Sequence, residues 1–157
     1  MDTVGIWSSS DALANRLKGR LGDKYRFVEG NHPADFTSNA TGADLDLLVV
    51  APDAAGLAGL TVLSPRLALL PGGNMAACRQ VRASSAVSYG LGSQNTLTLS
   101  SMAGGNVSVA LQRELLTLSG RAVERQEWVI PIGRGVETAD HLLCLVGAML
   151  LLDCDPG

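Results

Sequence analysis

The stretch Leu45-Asp46-Leu47-Leu48-Val49-Val50-Ala51 constrains this chain most, because a strand that is apolar on both faces has to lie inside a sheet covered from both sides. Leu67-Ala68-Leu69-Leu70 is a second run of that kind, and residues 3–7, 25–29 and 85–89 supply further strands. Helix patterns separate them. Residues 10–21 place Leu13, Leu17 and Leu21 on one stripe, with Ser10 as N-cap and Gly22 as the stop. A short, glycine-weakened helix is expected over 52–60, and another from an Asn74 cap to about Val81, after the break at Pro71-Gly72-Gly73. The polar stretch 30–43 reads as a loop or a poorly formed helix. Strand and helix alternating up to about residue 90 build a parallel sheet with helices on its faces.

Past Gly92 the hydrophobic period becomes two. Leu97 and Leu99 alternate with Thr96 and Thr98, and Val107, Val109 and Leu111 alternate with polar residues across a turn at Ala103-Gly104-Gly105-Asn106. A second turn at Ser119-Gly120-Arg121 leads into a strand over 122–130, which completes a three-stranded antiparallel meander. A last helix over 138–152 is apolar almost all round and has to be packed under other elements. The expected fold is therefore α/β: a Rossmann-like three-layer core with a mostly parallel sheet, plus a C-terminal antiparallel β meander and a closing helix. One domain is expected over residues 1–157, with an α/β half at 1–92 and the meander and helix at 93–157.

Composition narrows the function. The 157 residues are 46% hydrophobic, which argues against disorder, and only 17% charged, with a net charge of −3 and no basic footprint beyond the local group Lys18, Arg20, Lys24 and Arg26. Nucleic acid is not an expected partner, and neither is a membrane, since the apolar run 142–152 falls short of the roughly 20 residues that cross a bilayer. Cys78, Cys144 and Cys154 are odd in number and lack metal-ligand spacing, and no signal peptide precedes the first strand, so a cytoplasmic location is expected. His32 and His141 have no H-x-x-x-H or cysteine partner, so no metal site is expected.

The opening, Val4-Gly5-Ile6-Trp7 followed by Ser8-Ser9-Ser10-Asp11, has the strand-turn-helix geometry of a phosphate-binding loop. It lacks the glycines that let backbone N–H groups close on phosphates and the lysine that neutralises them. What remains is a degenerate phosphate loop whose serines either cap the helix or hold an anion at its N-terminus. Gly72-Gly73-Asn74 offers a second turn at a helix start, and Asp53 stands near the carboxyl end of the central strand, where open α/β sheets place ligands. The run Gly90-Leu91-Gly92-Ser93-Gln94-Asn95 follows a strand but lacks the third glycine and the following helix of a dinucleotide fingerprint.

Val87-Ser88-Tyr89-Gly90-Leu91, the meander, then Val129-Ile130-Pro131-Ile132-Gly133 and a closing helix with Ala148 resemble the latter part of the central domain of Mur ligases, across residues 45–152. Those enzymes couple ATP cleavage to amide formation in peptidoglycan precursor synthesis, using a loop lysine, magnesium-binding acidic residues and a histidine. None of these has a counterpart at a matching position here. The resemblance thus implies a reduced, non-ligating relative lacking the C-terminal ligase domain and the N-terminal nucleotide-sugar domain. Residues 46–57 also resemble the central strand and following loop of receiver domains, with Ala51 where the acceptor Asp would stand and without the acidic pair after the first strand.

Two functions stay open on these grounds. One is a binding or interaction module without catalytic residues or cofactor, with a homodimer or protein partner meeting the meander at Leu97, Val109 and Trp128, unless the closing helix covers that face within the monomer. The other is a small-molecule or nucleotide-binding enzyme that uses the crevice at the carboxyl ends of the parallel strands, through Ser8, Ser9, Ser10, Asp53, Gly72, Gly73 and Asn74. Whether the two turns meet in one pocket separates them.

Overall fold

A computed structural model of the chain describes residues 1–36, 45–55, 62–131 and 138–156. Ten strands and three α-helices follow in the order β1 (Thr3–Trp7), α1 (Ala12–Leu21), β2 (Arg26–Gly30), β3 (Leu47–Val50), β4 (Leu67–Pro71), α2 (Met75–Cys78), β5 (Ser85–Tyr89), β6 (Leu97–Ala103), β7 (Asn106–Leu111), β8 (Leu115–Leu116), β9 (Ala122–Val123), β10 (Gln126–Pro131) and α3 (Ala139–Leu151). Eight strands form one sheet in the order β10-β7-β6-β5-β4-β3-β1-β2, and β8 pairs with β9 apart from it. From β2 to β6 every pairing is parallel, and β6-β7-β10 is antiparallel. The fold is α/β, as the change of period requires.

The parallel part has the order 2-1-3-4-5, which reverses direction between β1 and β3. β3 shows why its sequence is continuously apolar. Leu47 and Val49 join the core under α1 and α3, whereas Leu48 and Val50 join a second core with Trp7, Ala68 and Ala77. Both faces of the strand are thereby removed from water. Helix α3 is buried from Leu142 through Leu151, which accounts for its lack of a polar face.

Several local expectations are corrected. The strand expected at 122–130 is two strands, because Ser119-Gly120-Arg121 turns β8 into β9 and the chain re-enters the main sheet only at Gln126. Helix α2 ends at Cys78, short of Val81, whose backbone instead bridges to Leu63. Residues 52–55 form no helix; the remainder of that expected element, like residues 37–44 and the Ile132-Gly133 part of the family likeness, lies outside the described residues. Ser10 is not the N-cap of α1. Asp11 holds that position without a side-chain cap bond, while Ser10 Oγ accepts from Ala12 N at 3.2 Å.

Two of the meander residues expected at an interface are core residues instead. Leu97 and Val109 are fully buried and Trp128 packs partly buried beside them, all in the core that α3 completes. Alternation sends Leu97, Val107, Val109 and Leu111 inward against that helix, so the apolar face of the meander is covered within the chain. Among the described residues no helix is long and apolar enough to cross a membrane.

Candidate functional site

The carboxyl ends of β1, β3, β4 and β5 lie along one edge of the sheet, and open doubly wound sheets bind ligands at that edge beside the switch in strand order. Here the switch brings the turn after β1 against the turn after β3. Ser9 Oγ donates to Asp53 Oδ2 at 2.7 Å and Ser8 Oγ donates to Asp53 Oδ1 at 3.3 Å. Ser8 Oγ also accepts from Ser10 N at 3.2 Å. The serines and the aspartate singled out separately in the sequence are one cluster.

A residue not foreseen there completes it. His141, in the first turn of α3, has Nε2 3.9 Å from Asp53 Oδ2, and its Nδ1 lies 2.6 Å from Thr138 Oγ1, the side chain that caps the helix. Burial pushes the Asp53 carboxyl up, but the Ser9 hydroxyl, the nearby imidazole, the Ser9 N–H and the Ser8 hydroxyl together hold it below the usual range. A carboxylate so stabilised is a weak base. The Ser9 hydroxyl donates to the Asp53 carboxylate, on whose other side the imidazole of His141 stands.

The second turn is built around Asn74. Its Oδ1 caps α2 by accepting from Ala77 N at 3.1 Å, and its Nδ2 donates to Ala54 O at 2.9 Å and Pro52 O at 3.4 Å. Asn74 therefore ties the turn after β3 to the turn after β4. Beyond it lies a crevice of about 320 Å³, lined by Pro52, residues 71–74, residues 89–92, Gln94, Asn95 and Asp140. The run 90–95, which fails as a dinucleotide fingerprint, is a wall of this crevice. Gln112 Nε2 holds it by donating to Ser93 O at 3.0 Å and Asn95 O at 2.6 Å, and Arg113 Nη2 donates to Gln94 O at 2.7 Å.

The wall is packed closely enough to dictate glycine. A Cβ on Gly72 would overlap Asn95 Oδ1, and one on Gly90 would lie 2.9 Å from Asn95 Nδ2 in a backbone with φ of 153°. Asn95 is itself buried and donates to Gly92 O at 3.0 Å. Tyr89, at the floor, donates its hydroxyl to Val50 O at 2.6 Å, and burial raises its pKa far above the ordinary phenol value. Cys144 Sγ approaches the same carbonyl at 3.8 Å; burial pushes its thiol up to about 12. Neither group is poised to ionise.

Ser8, Ser9 and Ser10 line a hollow of about 250 Å³ with Glu29 and Asn31, whereas Gly72, Gly73 and Asn74 line the crevice of about 320 Å³. Asp46, at the opposite end of β3, accepts from Thr3 N at 2.8 Å and lies 3.8 Å from Arg66 Nε, an ordinary structural role. Among the described residues no three His, Cys, Asp or Glu side chains come together as a metal site. No family model, curated protein or solved structure matches the chain.

Proposed function

We propose that this protein is a non-catalytic binding module of the Mur-ligase central-domain type, and that its ligand enters the crevice between residues 71–74 and 89–95. One observation carries the reading: the turn that would grip a phosphate is closed on the protein's own carboxylate. With Ser8 and Ser9 donating to Asp53, negative charge already occupies the mouth of that turn, and among the described residues the only charged side chain lining the larger crevice is the carboxylate of Asp140. A polyphosphate would meet repulsion in both places. A neutral donor-rich molecule or an organic cation meets the Asp140 carboxylate and the amides of Gln94 and Asn95 instead.

Calorimetry and amide-resolved NMR test this together. Magnesium–ATP is expected to give no binding heat, whereas agmatine, a small guanidinium and ammonium probe, shifts the amides of Gly72, Gly73, Asn74 and Asp140 saturably. An Asp140→Asn variant loses that response. Micromolar ATP affinity that disappears when magnesium is removed overturns the reading in favour of a nucleotide-using enzyme.

A further inference from the structure

A second groove lies away from that crevice, on the face of the meander turned away from α3, and has a volume of about 510 Å³. Its floor is Thr98 and Ala110, paired across β6 and β7, with Glu127 opposite Ala110 on β10. Thr98 is 7% exposed, and its Oγ1 is buried with no hydrogen-bond partner. An unpaired buried hydroxyl is destabilising, so Thr98 at the base of the groove is a polar group whose partner the described residues do not supply.

The walls carry one charge of each sign. Arg125 and Glu127 both line the groove, and neither side chain forms an ion pair or hydrogen bond among the described residues. Gln112 has both protons of its Nε2 committed to Ser93 O and Asn95 O, which leaves its Oε1 as an acceptor. Leu91, 65% exposed, forms an apolar rim. A guanidinium suited to a planar carboxylate, a carboxylate suited to an ammonium, a free hydroxyl and an apolar rim together match a molecule with both charges and a short apolar side chain.

We infer that the groove over Thr98 binds a small zwitterion of the α-amino-acid class, with its carboxylate on Arg125, its ammonium on Glu127 and Thr98 completing the polar contacts. The site is open and shallow, so the affinity is millimolar in order.

Amide-resolved NMR of the full chain, titrated with L-leucine, N-acetyl-L-leucine and L-leucine methyl ester, tests the inference. L-leucine is expected to shift the amides of Thr98, Ala110, Arg125 and Glu127 saturably, while each capped analogue, lacking one charge, binds about tenfold more weakly there. Arg125→Gln and Glu127→Gln each weaken L-leucine to a similar degree. Thr98→Val raises the melting temperature, because an orphan hydroxyl is removed, and at the same time weakens binding severalfold. Absence of saturable shifts, equal shifts from all three compounds, or a Thr98→Val variant that binds as well as the parent overturns it. Shifts from the methyl ester confined to Gly72, Asn74 and Asp140 would report the cation crevice, and so keep the two sites distinguishable.

Discussion

The parallel half of this sheet and its antiparallel meander solve the same problem, covering apolar strands, in opposite ways. Strands β3 and β4 are enclosed from both faces, and their loops converge on one edge where side chains from distant parts of the sequence meet. The meander is enclosed from one face only: β7 alternates buried Val107, Val109 and Leu111 with half-exposed Ser108 and Ala110. Two-sided burial concentrates polar chemistry at the strand ends. One-sided burial leaves a whole face on which a groove can form. Because β6 pairs with β5 only through Leu97 and Tyr89, it runs on past the carboxyl edge in the same direction, so the two regimes touch at the loop 90–96.

The sharpest way to break the comparison is to charge each face of the meander in turn. Val109→Glu places a carboxylate in the core under α3 and is expected to abolish the cooperative thermal transition, since an unpaired buried ion costs several kcal/mol. Val129→Glu, at a residue 65% exposed on the edge strand, is expected to change stability by no more than about 0.5 kcal/mol. A folded Val109→Glu protein with altered oligomeric state by light scattering would return that residue to an interface. In the parallel half, Leu69→Ala removes a fully buried side chain between sheet and α3, and chemical denaturation should show a loss of about 2–5 kcal/mol.

The junction between the regions should be next in magnitude. Gly72→Ala drives a methyl group into buried Asn95 and is expected to cost about 1–3 kcal/mol. An Asn95→Ala change in the same chain should relieve part of that cost, a non-additivity that a double-mutant cycle reads directly. Strict additivity would show that the loop moves independently of β4.

Acidification produces a smaller effect. The carboxyls of Asp53 and Asp153 are both held below their ordinary values: burial raises each, and the hydrogen bonds outweigh it, from Ser9 and Ser8 on Asp53 and from Ser119, Arg121 and Thr117 on Asp153. A carboxyl with a lowered folded-state pKa contributes stability above its unfolded value, near 3.9, and that contribution disappears as pH falls through the folded value. Melting temperature should therefore fall below about pH 4, and less steeply in an Asp53→Asn variant. The smallest expected effect is chemical. Cys144, fully buried and with its thiol raised to about 12, should resist alkylation at pH values where half-buried Cys154 reacts.

Much of this architecture was legible in the order of residues. The runs at 45–51 and 67–70 correspond to β3 and β4, residues 85–89 to β5, Gly22 stops α1 with a φ of 58°, and Asn74 caps α2. These signals are local, because periodicity, a cap and a turn each act within a few residues. The split of 122–130 was not legible: β8 and β9 hold their own two-stranded pairing, and its partners are set by where the chain returns to the sheet.

The site divides in the same manner. The residue types at Ser8, Ser9, Asp53 and Asn74, and their positions at strand ends, follow from sequence alone. That Ser9 donates to Asp53, that His141 stands beside it, and that the serines and Gly72 line different hollows does not follow. Nothing near His141 in the chain distinguishes it from any other helix-start histidine. Sequence by itself determined which segments could be strands and helices and which faces had to be buried, since hydrophobic period and capping are properties of neighbours. Only the tertiary structure decided which loops meet, because strand order brings together residues 44 and 88 positions apart in the chain, and hydrogen bonds and charge depend on separation in space.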